Sequence, residues 1–88
     1  MPSVRSVASL TRSAEIEIVD LSQRGIGFTA AARLRVGDRI EVLLPCVGAK
    51  CATVTWLHDQ RYGCDFVVPL RFQDVERSFV RRTRIHPV

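Results

Sequence analysis

Lysine is nearly missing from this sequence: twelve of its 13 basic residues are arginine and only Lys50 is lysine. No apolar run approaches the roughly 18 residues that a membrane helix needs. The longest, Val42 to Val47, is broken by Pro45. The opening MPSVRSVASL lacks the apolar core of about 7–15 residues that marks a secretory signal, so the cytoplasm is the expected compartment and no membrane partner is expected. The cysteines, Cys46, Cys51 and Cys64, are odd in number and show no CxxC spacing, which speaks against a disulfide framework. Zinc would need His58 or His86 as a fourth ligand. Cys46-x4-Cys51 is loose for that purpose, and Cys51 and Cys64 lie inside strand-like runs, where cysteine behaves as a small hydrophobe. No metal and no cofactor are expected. Tryptophan and tyrosine occur once each beside four phenylalanines. Phe66, Phe72 and Phe79 fall at expected core positions, which leaves too few rings for the stacking platforms of a single-stranded nucleic-acid binder. Trp56 also reads as core, its functional reading being a rim contact to a base. Neither histidine has a nucleophile or carboxylate at a recognisable spacing, so an enzyme is not expected.

What is present suits one small globular domain: 88 residues, 47% hydrophobic and 25% charged. The formal charge of +4 is uneven. Residues 1–70 hold eight basic and seven acidic side chains, whereas residues 71–88 hold five arginines against Asp74 and Glu76, a net of +3. Arginine offers a planar fork that grips phosphate or carboxylate with two hydrogen bonds at once. An anionic partner fits this bias, and so does an ordinary solvated surface.

The period of the apolar residues is mostly two. Ala14 to Asp20 alternates strictly, as a strand with one buried face does. Val4 to Thr11 alternates more weakly and is its candidate partner. Ile26 to Ala30, Arg39 to Leu44, Lys50 to His58 and Tyr62 to Val68 read as further strands. They are separated by turns at 22–25, at Val36-Gly37-Asp38, at 45–49 and at Asp59-Gln60-Arg61. Pro69 ends the last run because it has no N–H to give to a ladder. Beyond it Phe72, Val75, Phe79 and Val80 fall on one face of a helix expected over about 73–84, with Arg77, Arg81 and Arg84 opposite. The expected architecture is all-β with a terminal helix: a six-stranded antiparallel barrel in meander order, strands over about 4–69, covered by the C-terminal helix.

The segment Asp20-Leu21-Ser22-Gln23-Arg24-Gly25 joins two strands and so lies at the rim of such a barrel. Asp20 offers oxygens to a guanidinium or to a guanine edge. Ser22 can donate to a phosphate or cap the turn. Gly25 permits a left-handed backbone and close approach of a ligand. Aspartate, serine and glycine are also common turn residues.

Asp20-x-Ser22-x-x-Gly25 followed by Ile26-Gly27-Phe28 resembles the D/N-x-S-x-x-G motif of PilZ domains. Leu34-Arg35-Val36-Gly37-Asp38-Arg39-Ile40-Glu41-Val42 is similar to that family's l-x-x-G-d-x-v-x-v strand entry. Ala52-Thr53-Val54-Thr55-Trp56 and Tyr62-Gly63-Cys64-Asp65-Phe66 resemble its later pair. The likeness covers residues 4 to 84. It implies a six-stranded barrel that binds cyclic di-GMP, with an upstream R-x-x-x-R pair gripping phosphates and guanine faces while the turn holds a guanine edge. Carried onto this chain, the site comprises Arg5, Asp20, Ser22 and Gly25, with Arg24 as a further guanidinium. The pattern is incomplete: Arg5 stands at the second arginine and Met1 at the first. One lost charged phosphate contact costs on the order of 1.5–3 kcal/mol, or ten- to a hundredfold in affinity. The resemblance thus implies a cyclic di-GMP receptor that acts as an adaptor through an unidentified protein partner. The alternative is a degenerate member that acts through protein contact without the nucleotide.

Overall fold

A computed structural model of the chain describes residue 10 and residues 12–88. Six strands and one helix follow in the order β1 (Ala14–Leu21), β2 (Gly25–Thr29), β3 (Arg39–Leu44), β4 (Gly48–His58), β5 (Arg61–Phe66), α1 (Phe72–Ser78) and β6 (Arg82–Pro87). The strands close into an antiparallel barrel with the neighbour order β1-β2-β5-β4-β3-β6. Closure pairs every strand on both sides, so the sheet has no open edge. The expected meander holds only for β3–β4–β5. The β1–β2 hairpin joins it through β2–β5, and β6 closes the barrel between β3 and β1.

Alternation built the interior. Ile16 and Ile18 of β1, Ile26 and Phe28 of β2, Ile40 and Val42 of β3, Ala52 and Val54 of β4, Tyr62 and Cys64 of β5 and Ile85 of β6 all point inward and are buried. The Phe28 and Tyr62 rings meet at 5.6 Å between centroids, within the favoured range for tilted aromatic pairs. The Tyr62 hydroxyl donates to the Ala32 carbonyl at 2.7 Å, so the barrel's one tyrosine buries its ring without orphaning its oxygen. Gly37 and Gly48 have φ of 98° and 94°. Glycine takes that left-handed backbone without steric cost; Gly37 lies in the connection before β3 and Gly48 opens β4.

Cys64 is a core residue. Burial, reinforced by the neighbouring Asp65 carboxylate, pushes its thiol up to about 12 from an ordinary 9.0. Between those values an unfolded chain has released this proton while the folded chain still holds it, so stability falls as pH rises through that window. At pH 8 a thiol reagent should modify exposed Cys46 rapidly and leave Cys64 untouched until the barrel unfolds. Mass-spectrometric labelling checks this; prompt native-state modification of Cys64 would contradict it.

The C-terminal region corrects the expected helix over 73–84. Helix α1 ends at Ser78, and Phe79 turns the backbone extended with ψ 112°. Residues 82–87 form a strand, so the sixth strand comes from this end of the chain. The reason is a second period-two pattern within Arg82-Thr83-Arg84-Ile85-His86. Ile85 enters the core, while Arg82 and Arg84 lie opposite Glu17 and Glu15 of β1. Opposite charges on facing strands favour that register. Arg81 adds a bond from its Nε to the Glu17 carboxylate at 3.0 Å. The candidate strand at Val4–Thr11 lies outside the described residues except for Leu10. The partners of β1 are β2 and β6.

Helix α1 meets the core with only part of the expected stripe, Val75 and the following Val80 packing against it. It buries Asp74 and Ser78, while Phe72 and Phe79, expected in the core, stay 68% and 49% exposed. Asp74 accepts a bond from the Arg71 guanidinium at 3.0 Å. The Ser78 hydroxyl is fully buried, with no partner among the described residues. A buried, unpaired hydroxyl is a net cost, so Ser78→Ala is expected to stabilise the fold by about 1 kcal/mol. Urea melts would show the midpoint rising; a lower midpoint would mean that the hydroxyl is satisfied.

Candidate functional site

The turn between β1 and β2 spans residues 22–24. The Ser22 amide donates to the Gly25 carbonyl at 2.9 Å. The Gly25 amide in return donates to Ser22 Oγ at 3.2 Å, and Ser22 Oγ reaches the Gly25 carbonyl at 3.4 Å. Ser22 thus caps the turn, the second of its two expected roles. Gly25 has no positive φ, which corrects the left-handed backbone expected of it. The second expectation, close approach, takes a specific form. A Cβ on Gly25 would collide with the Cys64 carbonyl oxygen of β5. Glycine is needed because two backbones meet there.

The turn is also anchored from outside. Phe66 N donates to the Arg24 carbonyl and Leu70 N to the Gln23 carbonyl, each at 2.8 Å. The Gln23 side-chain amide donates back to the Leu70 carbonyl at 3.2 Å. Three bonds therefore fix the hairpin tip to the end of β5 and the segment that follows it, while the Arg24 and Ser22 side chains remain exposed.

Two irregularities place the remaining groups. Ile16 and Ile18 face inward, so strict alternation would send Asp20 inward as well. A bulge between Ile18 and Asp20 reverses the phase, and Asp20 comes out on the outer face. A second bulge between Val54 and Trp56 does the same on β4. Trp56, expected in the core, is 46% exposed on that face.

The register then lines up four residues from four adjacent strands. Asp20 pairs with Gly27, Gly27 with Gly63, and Gly63 with Trp56. Both side chains of this row lean over its glycines. A Cβ on Gly27 would lie 3.0 and 3.1 Å from the two Asp20 carboxylate oxygens, and a Cβ on Gly63 would collide with the Trp56 indole. The two glycines make room for the Asp20 carboxylate over Gly27 and the Trp56 indole over Gly63, a row about two strands, some 10 Å, wide. It forms a shallow depression of about 260 Å³ that Ser22, Arg24, Gly25, Thr55 and Asp65 complete.

The structure thus gathers Asp20, Ser22, Arg24 and Gly25 on one depression. Arg5 lies outside the described residues. Trp56, Gly27 and Gly63 were not among the expected site residues. Their signal was there: a glycine inside a strand pattern marks a close approach of backbone or ligand, and both Gly27 and Gly63 sit mid-strand.

A family model described as the PilZ domain matches residues 4–83. The chain belongs to the PilZ family. Comparison with curated proteins and with solved structures finds no match. PilZ domains are binding modules rather than enzymes, and are usually cyclic di-GMP receptors. The barrel with a single short helix is the architecture that membership implies. In this PilZ domain the D-x-S-x-x-G turn is intact, and among the described residues no helix is long and apolar enough to cross a membrane.

Proposed function

We propose that this PilZ domain is a cyclic di-GMP receptor whose ligand rests on the depression beside the turn. The observation that supports the reading best is the row Asp20–Gly27–Gly63–Trp56 on the outer face. A guanine edge presents N1–H and N2–H₂ donors, which an ionised carboxylate accepts as charge-assisted bonds. Gly27 and Gly63 let the carboxylate and the indole lie close against the sheet, side by side on one face. The half-exposed indole provides a stacking face. Arg24 at the turn, together with Arg5, would meet the two phosphates. Ser22 and Gly25 hold the turn in shape.

Titration calorimetry with cyclic di-GMP at low salt tests this directly. Saturable heat is expected, with a thermal upshift of roughly 10–20 °C at a hundredfold excess over Kd. No heat and no shift at millimolar nucleotide would end the reading. A second reading, in which the domain acts through protein contact without the nucleotide, is favoured by one observation: the phenylalanines that α1 turns outward.

A further inference from the structure

We infer that Asp65 is a second base-reading carboxylate of the depression, so that the ligand must present a guanine edge to each of two acids. The inference rests on the receptor reading and adds to it which bases the site accepts. Asp65 lies on β5 and is exposed, as Asp20 is on β1. The register sets the two acids on either side of β2: Asp20 pairs with Gly27 and Asp65 with Gly25. Each carboxylate leans over its glycine. A Cβ on Gly25 would lie 3.4 Å from Asp65 Oδ1, as one on Gly27 would lie 3.0 and 3.1 Å from the Asp20 oxygens. Gly25 and Gly27 face the same side of β2 two residues apart, about 7 Å along the strand. Gly63, beneath the Trp56 indole, pairs with Gly27 and lies two residues from Asp65 on β5. Both acids therefore line one depression beside the same indole.

Charge decides what the second acid meets. The depression sets Asp20 and Asp65 against one guanidinium, that of Arg24. Among the described residues neither acid enters an ion pair, so both keep acceptor oxygens for a ligand. A phosphate placed against either carboxylate is repelled. The phosphates of a cyclic dinucleotide thus turn toward Arg24 and its bases toward the acids. Guanine offers N1–H and N2–H₂ side by side, two donors that one carboxylate accepts together. Adenine offers a single amino group, next to a ring nitrogen whose lone pair faces the carboxylate unfavourably. A site with one acid would read one base and leave the other free. With two acids it reads both, and so distinguishes cyclic di-GMP from the hybrid cyclic GMP–AMP.

The test is calorimetry of the full chain at low salt with cyclic di-GMP and with cyclic GMP–AMP, on the parent and on Asp65→Ala. The parent is expected to take up one cyclic di-GMP per chain. It should bind it ten- to a hundredfold more tightly than the hybrid, the worth of one charge-assisted contact. Asp65→Ala should bind cyclic di-GMP ten- to a hundredfold more weakly than the parent. It should also bind the two nucleotides within about threefold of each other, because Asp20 reads the guanine that both contain. Asp65 is exposed, so the melting temperature should hold. If it falls, Asp65→Thr, which suits a strand and has no carboxylate, replaces the alanine variant with the same expectation. A parent that binds cyclic di-GMP while Asp65→Ala binds it equally or more tightly overturns the proposal and leaves the receptor reading standing. Tighter binding would mean that the acid faces a phosphate. An equal loss for both nucleotides, with the preference kept, would make Asp65 a support of the depression and overturn the proposal too. So would a parent that binds the hybrid as tightly as cyclic di-GMP, or takes up two molecules per chain. A parent that binds neither nucleotide ends the receptor reading, and this proposal with it.

Discussion

Replacing Gly25 by alanine is expected to destabilise the barrel by about 2–3 kcal/mol. The added methyl group would collide with the Cys64 carbonyl oxygen. That atom is backbone in the middle of β5, so no side chain can swing away to make room. Relief requires β2 and β5 to part where Gly25 pairs with Asp65. The adjacent bond from Phe66 N to the Arg24 carbonyl would stretch with it. For a domain of this length each kcal/mol moves the melting temperature by roughly 4–8 °C, so the fall should be on the order of 10–20 °C. Gly37→Ala is the control. Its φ is +98°, yet nothing lies within 4 Å of the added Cβ. It should cost only the left-handed backbone penalty of about 1–2 kcal/mol. Thermal and urea melts of both variants decide the matter. If Gly25→Ala melts within about 2 °C of the parent, the close approach of the strands at the turn is not what requires glycine there.

The contrast between these glycines shows where the sequence could be read and where it could not. Alternation made β1, β3 and β4 legible, because each buries one face against a single core. It failed at Trp56, which shares its parity with Ala52 and Val54 yet lies beyond a bulge. A bulge is a one-residue change of phase, and nothing in a linear pattern announces it. The C-terminal helix was overextended for another reason. Phe72, Val75, Phe79 and Val80 imitate a helical stripe, but the barrel needed a strand between β3 and β1. Thr83, Ile85 and the flanking arginines met that need. Phe72 and Phe79 were assigned to the core on periodicity alone, although periodicity does not say which face of a helix meets the barrel. In the candidate site, Asp20, Ser22, Arg24 and Gly25 are neighbours in sequence and could be found as a motif. Gly27, Gly63 and Trp56 join them only through the register of four strands, which the order of residues does not disclose.

Asp20→Ala is expected to lower the affinity for cyclic di-GMP ten- to a hundredfold while leaving the melting temperature nearly unchanged. A charge-assisted hydrogen bond is worth about 1.5–3 kcal/mol, which sets the range. Asp20 is exposed, and among the described residues it enters no ion pair, so its loss leaves no buried partner unsatisfied. Gly27→Ala should reach the same result from the opposite side. Its Cβ would press on the two carboxylate oxygens at 3.0 and 3.1 Å, which are the free end of a side chain and can yield. Stability should therefore suffer little, unlike at Gly25, while the carboxylate is moved from its place over Gly27. Trp56→Ala removes the stacking face and should cost about 1–3 kcal/mol of binding. Calorimetry on the three variants distinguishes this arrangement from a turn that matters only for folding. Three losses of affinity at near-constant melting temperature place the nucleotide against Asp20 and Trp56. Full affinity in Asp20→Ala and Trp56→Ala would put it elsewhere on the barrel, since neither side chain could then touch the base.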